Sequence, residues 1–114
     1  MTKTTNKKFS LDVAPTFKAP VQIQIPGAGE GTIVFTFKHR TKAELKEFTE
    51  SLTAASGDDG PKDTDVLLDI TSGWDLDEPF DAASLDKLTQ RYMGAAQAVI
   101  AAYFNELAGA RAKN

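Results

Sequence analysis

At 114 residues, with 41% hydrophobic and 25% charged residues, the chain has enough apolar material to bury one core without help from a metal or a disulfide. It contains no cysteine, which excludes thiolate zinc sites, thiol nucleophiles and disulfide staples and fits a reducing compartment. The net charge of −3 hides an asymmetry, because residues 1–46 carry eight Lys/Arg against three acids and residues 57–86 carry ten acids against Lys62 alone. An acidic chain of this kind is a poor match for nucleic acid, and no apolar run is long enough for a signal peptide or a membrane span.

Residues 1–8 are polar and basic and are expected to form a flexible arm, with one domain over 9–108 and a short polar tail over 109–114. From Phe17 the pattern has period two. Phe17, Ala19, Val21, Ile23 and Ile25 fall on one face and Lys18, Gln22 and Gln24 on the other, the signature of a half-buried strand. Pro20 lacks a ladder donor and places that strand at a sheet edge. The run from Pro26 to Gly31 is a hairpin turn whose three glycines can supply positive φ angles; it links two strands rather than opening a helix, so it is a weak match for a phosphate loop. Alternation resumes from Thr32 to Arg40, with Ile33, Phe35 and Phe37 inward and Thr36 and Lys38 outward.

Thr41-Lys42-Ala43-Glu44 fits a capping box at the start of a helix whose apolar stripe is Leu45, Phe48 and Leu52. Ser56 to Pro61 breaks it. A short helix capped by Asp63 places Val66, Leu67 and Ile70 on one side, and Gly73 is expected to close it in the left-handed conformation. Trp74, Leu76 and Phe80 follow on irregular backbone and read as a plug locking two helices together, with Gly73, Trp74 and Phe80 as anchors. Asp81 or Ser84 can cap a further helix carrying Leu85, Leu88 and Tyr92, which Met93-Gly94 interrupts. The last helix, about Ala95 to Ala108, has an apolar arc of Ala96, Val99, Ile100, Tyr103, Phe104 and Leu107. Its other side carries Ala98, Ala101 and Ala102 with Gln97 and Asn105, read either as plain helix propensity or as a small-residue face open to another helix.

Residues with reactive chemistry are few. His39 is the sole histidine, sits at a strand end and belongs to no Ser–His–Asp order. Asp75, Asp77 and Glu78 could hold a divalent ion, but the spacing of a calcium loop is missing. Lys38, His39 and Arg40 form a small basic cluster without surrounding aromatic platforms; Lys38 and Arg40 share the outward parity and suit an acidic protein segment. No cofactor is expected.

In order and spacing, Pro15 to Val21, the Gly-rich turn, Phe35-Thr36-Phe37-Lys38-His39-Arg40-Thr41 leading into a helix, Gly73-Trp74-Asp75 with Phe80, and Ala95 to Leu107 with Tyr103 resemble the tail assembly chaperones of long-tailed bacteriophages. Met93 departs from that pattern, where proline stands before the glycine. The resemblance covers about residues 9 to 108. It implies a non-enzymatic protein of the infected host's cytoplasm that binds the tape measure protein, promotes tail tube assembly and is absent from the mature virion. It also implies contact with the major tail tube protein and a longer form of the chain made by ribosomal frameshifting, for which codons GCA-AAA-AAC at Ala112-Lys113-Asn114 would provide the slip site. On this reading Lys38, Arg40, Ala98, Ala101, Ala102 and Asn105 are the candidate partner contacts, self-association included, with neither nucleic acid nor membrane involved. The alternatives are a structural tail component retained in the virion and a small metal-dependent enzyme using Asp75, Asp77 and Glu78. The fold expected is α+β: an N-terminal antiparallel hairpin followed by about four helices packed over it.

Overall fold

The computed structural model describes residues 11–54 and 63–109. Strands β1 (Thr16–Ile25) and β2 (Gly29–Lys38) form an antiparallel hairpin in unbroken register from Thr16↔Lys38 to Ile25↔Gly29. Alternation decides the buried face, because successive side chains of a strand point to opposite sides: Ala19, Val21 and Ile23 of β1 and Ile33, Phe35 and Phe37 of β2 are all buried. The turn closes through Ala28 N–H donating to the Ile25 carbonyl at 2.9 Å. Pro26 presets the second position and Gly27, at φ 78°, takes the left-handed third, the arrangement of a type II turn. Gly29 also has positive φ, at 84°; Gly31 does not and belongs to the regular strand.

His39 N–H donates to the Pro15 carbonyl at 2.9 Å, on the same register as the hairpin. Hydrogen-bonded pairs alternate in an antiparallel ladder, so the odd residues of β1 turn their N–H and C=O groups toward β2 and the even residues turn theirs outward. Pro20 therefore lies on the open edge of β1, where its missing N–H costs no ladder bond and denies a donor to any strand arriving from outside. Pro20→Thr restores that donor. It is expected to raise the self-associated fraction in sedimentation velocity relative to wild type, and an unchanged distribution would mean that the edge is guarded by other means.

On its other side the hairpin gains a third strand. Helix α2 (Asp63–Ile70) passes directly into β3 (Thr71–Trp74), which pairs antiparallel with β2 through Phe35↔Trp74, Thr36↔Gly73 and Phe37↔Thr71, giving the order β1-β2-β3. Two sequence expectations are corrected here. Asp63 is the first helical residue rather than its cap, and Gly73 is a strand residue without positive φ, opposite Thr36, rather than a helix terminator. The carbonyls at the end of α2 are met in another way: Lys38 Nζ donates to the Leu68 carbonyl at 3.1 Å, and Arg40 Nη1 lies 3.4 Å from that of Asp69. Cations at a helix C-terminus satisfy both the orphan carbonyls and the helix dipole, so no left-handed cap is required.

The capping box forms as expected at helix α1 (Lys42–Ala54). Glu44 N–H donates to Thr41 Oγ1 at 3.2 Å, and Thr41 N–H donates to Glu44 Oε1 at 2.8 Å. The second bond, then the Thr41 side chain, hold the Glu44 carboxyl below its ordinary value. A depressed carboxyl pKa stabilises the fold above the unfolded value, and that contribution is lost as pH falls through the folded one. Asp81 caps α3 (Ala82–Arg91) by accepting from Ser84 N–H at 2.8 Å, and Gly109, at φ 70°, closes α4 (Ala95–Ala108). The result is the α+β fold expected, with the hairpin widened to three strands and accompanied, among the described residues, by four helices.

The core lies where α4 and α2 meet the inner face of the sheet. Tyr103 of α4 is fully buried and stacks on Phe37 with ring centroids 5.5 Å apart, while Phe48 of α1 meets it edge-on at 6.4 Å.

Candidate functional site

Several residues singled out in the sequence serve the fold. Arg40 extends past the end of β2, is half-buried and lies over the Phe48 ring with its guanidinium carbon 4.2 Å from the centroid. Its Nη1 donates to the Tyr103 hydroxyl at 2.8 Å, and that hydroxyl donates to the Lys38 carbonyl at 2.9 Å. Arg40 thus does not share a free outward face with Lys38. Both cations are drawn to the end of α2, because strand parity stops at Lys38 and the orphan carbonyls lie within reach.

The alanine side of α4 is also less open than the sequence suggests. Ala98 and Ala102 are half-buried against the core, whereas Ala101 and Asn105 are exposed. The helix contacts β1, α2 and α3 together, so it buries a wider arc than one packing stripe would require. Asp75 is engaged as well, its Oδ1 accepting from Val34 N–H at 3.0 Å. Among the described residues no group of three His, Cys, Asp or Glu side chains is arranged to hold a metal ion. His39 is half-buried, and its backbone N–H joins the hairpin ladder.

Trp74 anchors the loop after β3. It is half-buried, tilted against Phe35 at 5.9 Å and edge-on to Phe80 at 5.3 Å, and its indole N–H donates to the Glu78 carbonyl at 2.9 Å. It joins the loop to the inner face of the sheet, where the sequence reading had it lock two helices together. Trp74→Ala is expected to cost about 3 kcal/mol, the low end for an aromatic truncation because the ring is only half-buried. Chemical denaturation measures it, and a midpoint equal to wild type would remove Trp74 from the packing.

Beside this loop lies an open groove of about 310 Å³. Its floor is apolar, built from Ile23, Ile25 and Ile33 of the hairpin, Trp74, and Leu88 and Tyr92 from the α3 end, with Leu76 on its lip. Leu76 is 37% exposed, whereas Leu67, Leu85 and Leu88 are buried. Lys87 and Arg91, one helical turn apart on α3, form a cationic rim, and Glu78 is the one acid among the lining residues. Both cations are exposed on a chain whose net charge is negative. The sequence reading missed this rim; the signal available was the Lys87/Arg91 spacing beside Leu88, but nothing local could bring the hairpin tip to the same place.

The groove also meets a strand edge. Since odd residues of β2 bond to β1, its even residues point N–H and C=O toward β3, as the Val34 N–H bond to Asp75 confirms. Pairing with β3 covers only Phe35 to Phe37, so the backbone of Thr32, which lines the groove, faces an uncovered edge.

An apolar groove with a cationic rim and an open strand edge is a surface for segments of other proteins. The chain belongs to the phage tail assembly chaperone family, whose model matches residues 4–114. That family is one of chaperones and not of catalysts, in agreement with the resemblance read from the sequence. No curated protein and no solved structure matches the chain significantly. Among the described residues no helix is long and apolar enough to cross a membrane.

Proposed function

We propose that this tail assembly chaperone binds the tape measure protein in the host cytoplasm, keeps it soluble while the tail tube polymerises around it, and is left out of the finished virion. The observation that supports this reading is the groove between the hairpin tip and α3, whose apolar floor and cationic rim suit an apolar client segment carrying acidic side chains. A long client has many apolar stretches that aggregate unless covered during assembly. The tail tube protein, a second copy of the chain and a longer frameshifted form are further partners on this reading; the codons concerned encode residues outside those described.

Co-expression with the tape measure protein of the same phage is the direct test. The expected result is a client that is soluble and co-purifies with the chain, yet is insoluble alone. Mass spectrometry of purified virions should then lack peptides of this protein. Stoichiometric recovery from virions would instead make it a structural component of the tail.

A further inference from the structure

We propose that the groove takes its client in extended form, as a strand added to β2 along the edge that β3 leaves uncovered; this rests on the reading of the groove as the client site. The geometry points to a strand for three reasons. First, the outward N–H and C=O groups of Thr32 lie on that edge, where an added strand can pair with them. Second, the chain itself does not continue there. After Trp74 the Asp75 carboxylate accepts the next edge donor, Val34 N–H, and the indole bond to the Glu78 carbonyl turns the loop back. The sheet ends in a side-chain cap with open edge beyond it. Third, alternate side chains of a strand seated there would fall on Ile25, Ile33 and Leu88, while its neighbouring positions reach the rim.

The occupant is therefore a protein segment of about four or five residues in length, apolar at alternate positions and acidic next to Lys87 and Arg91. Among the described residues neither cation forms an ion pair or hydrogen bond with an acid, and charge complementarity selects an acidic partner over a basic one. The other edge of the sheet is unsuited to the same role, because Pro20 sits outward at its centre.

The test uses the full chain and overlapping peptides that tile the tape measure protein. Fluorescence anisotropy identifies a binding peptide, which is then measured against Thr32→Pro, Arg91→Glu and wild type. Thr32→Pro removes an outward backbone donor and no backbone bond to β1, losing on that side only the exposed bond from the Thr32 hydroxyl to Gln22 Oε1, so the circular dichroism spectrum and melting temperature should stay near wild type while affinity falls by about tenfold or more. Arg91→Glu should weaken binding most at low salt. Should Thr32→Pro fail to fold, the same peptide with alternate backbone amides N-methylated is titrated into the wild-type protein; strand addition predicts loss of binding. Undiminished binding of Thr32→Pro or of the methylated peptide overturns strand addition, and with loss in Arg91→Glu it assigns helix docking in the groove. Capture of the full-length tape measure protein without binding of any peptide also overturns it, yet leaves the chaperone reading standing. Capture of neither overturns both.

Discussion

Tyr103→Ala is expected to lower the unfolding free energy by about 3–5 kcal/mol, out of a total on the order of 5–15 kcal/mol for a domain of this kind. The ring is fully buried, stacks on Phe37 at 5.5 Å and on Phe17 at 6.4 Å, and receives Phe48 and Phe104 on its edges, so truncation leaves a cavity that several elements would have to close at once. The hydroxyl adds a separate loss. It accepts from Arg40 and donates to the Lys38 carbonyl, which joins α4 to the end of β2 and, through Arg40, to the end of α2. Tyr103→Phe isolates that part at about 1–3 kcal/mol, the cost of leaving partly buried polar groups unpaired. Urea titration followed by circular dichroism measures both variants. A loss below about 1 kcal/mol for Tyr103→Ala would show that the aromatic stack does not hold the helices to the sheet.

Arg40→Ala is expected to destabilise by about 2–4 kcal/mol, through loss of the stack over Phe48, the bond to Tyr103 and the cation at the end of α2. Arg40→Lys should recover less than half of this, because a single ammonium cannot lie flat on Phe48 while donating to both the hydroxyl and a carbonyl. A double-mutant cycle with Tyr103→Phe should give a coupling of about 1 kcal/mol. This result would also decide what Arg40 is for. A client-binding residue would leave the unfolding midpoint unchanged on replacement and reduce client capture; a residue that ties α1, α2 and α4 to the sheet does the reverse.

The readable part of the fold was the part whose causes are local. Period-two alternation placed Ala19, Val21, Ile23, Ile33, Phe35 and Phe37 on the buried face, and the run from Pro26 to Gly31 placed the turn, which the structure narrows to Pro26 and Gly27. The Thr41/Glu44 box, the Asp81 cap and the last helix over Ala95–Ala108 formed where their side-chain chemistry indicated. Each of these depends on residues within a turn or two of one another. The family was legible for a related reason, since the order of such local motifs survives as a pattern along the chain.

Tertiary pairing decided the rest. Thr71 to Trp74 is a strand because the edge of β2 offers hydrogen bonds that a four-residue segment could not find alone, and this overrode the helix-closing preference of Gly73. The same pairing set the end of α2 beside Lys38 and Arg40, turning two apparently outward cations into bonds that hold the fold. It also stopped short of Thr32, leaving an open edge above a floor assembled from the hairpin tip, the Trp74 loop and α3. Composition and periodicity determine which residues are buried and where helices begin, because those preferences act between near neighbours; which cation is free and which strand edge stays open depends on segments distant in sequence, brought together only by the packed core.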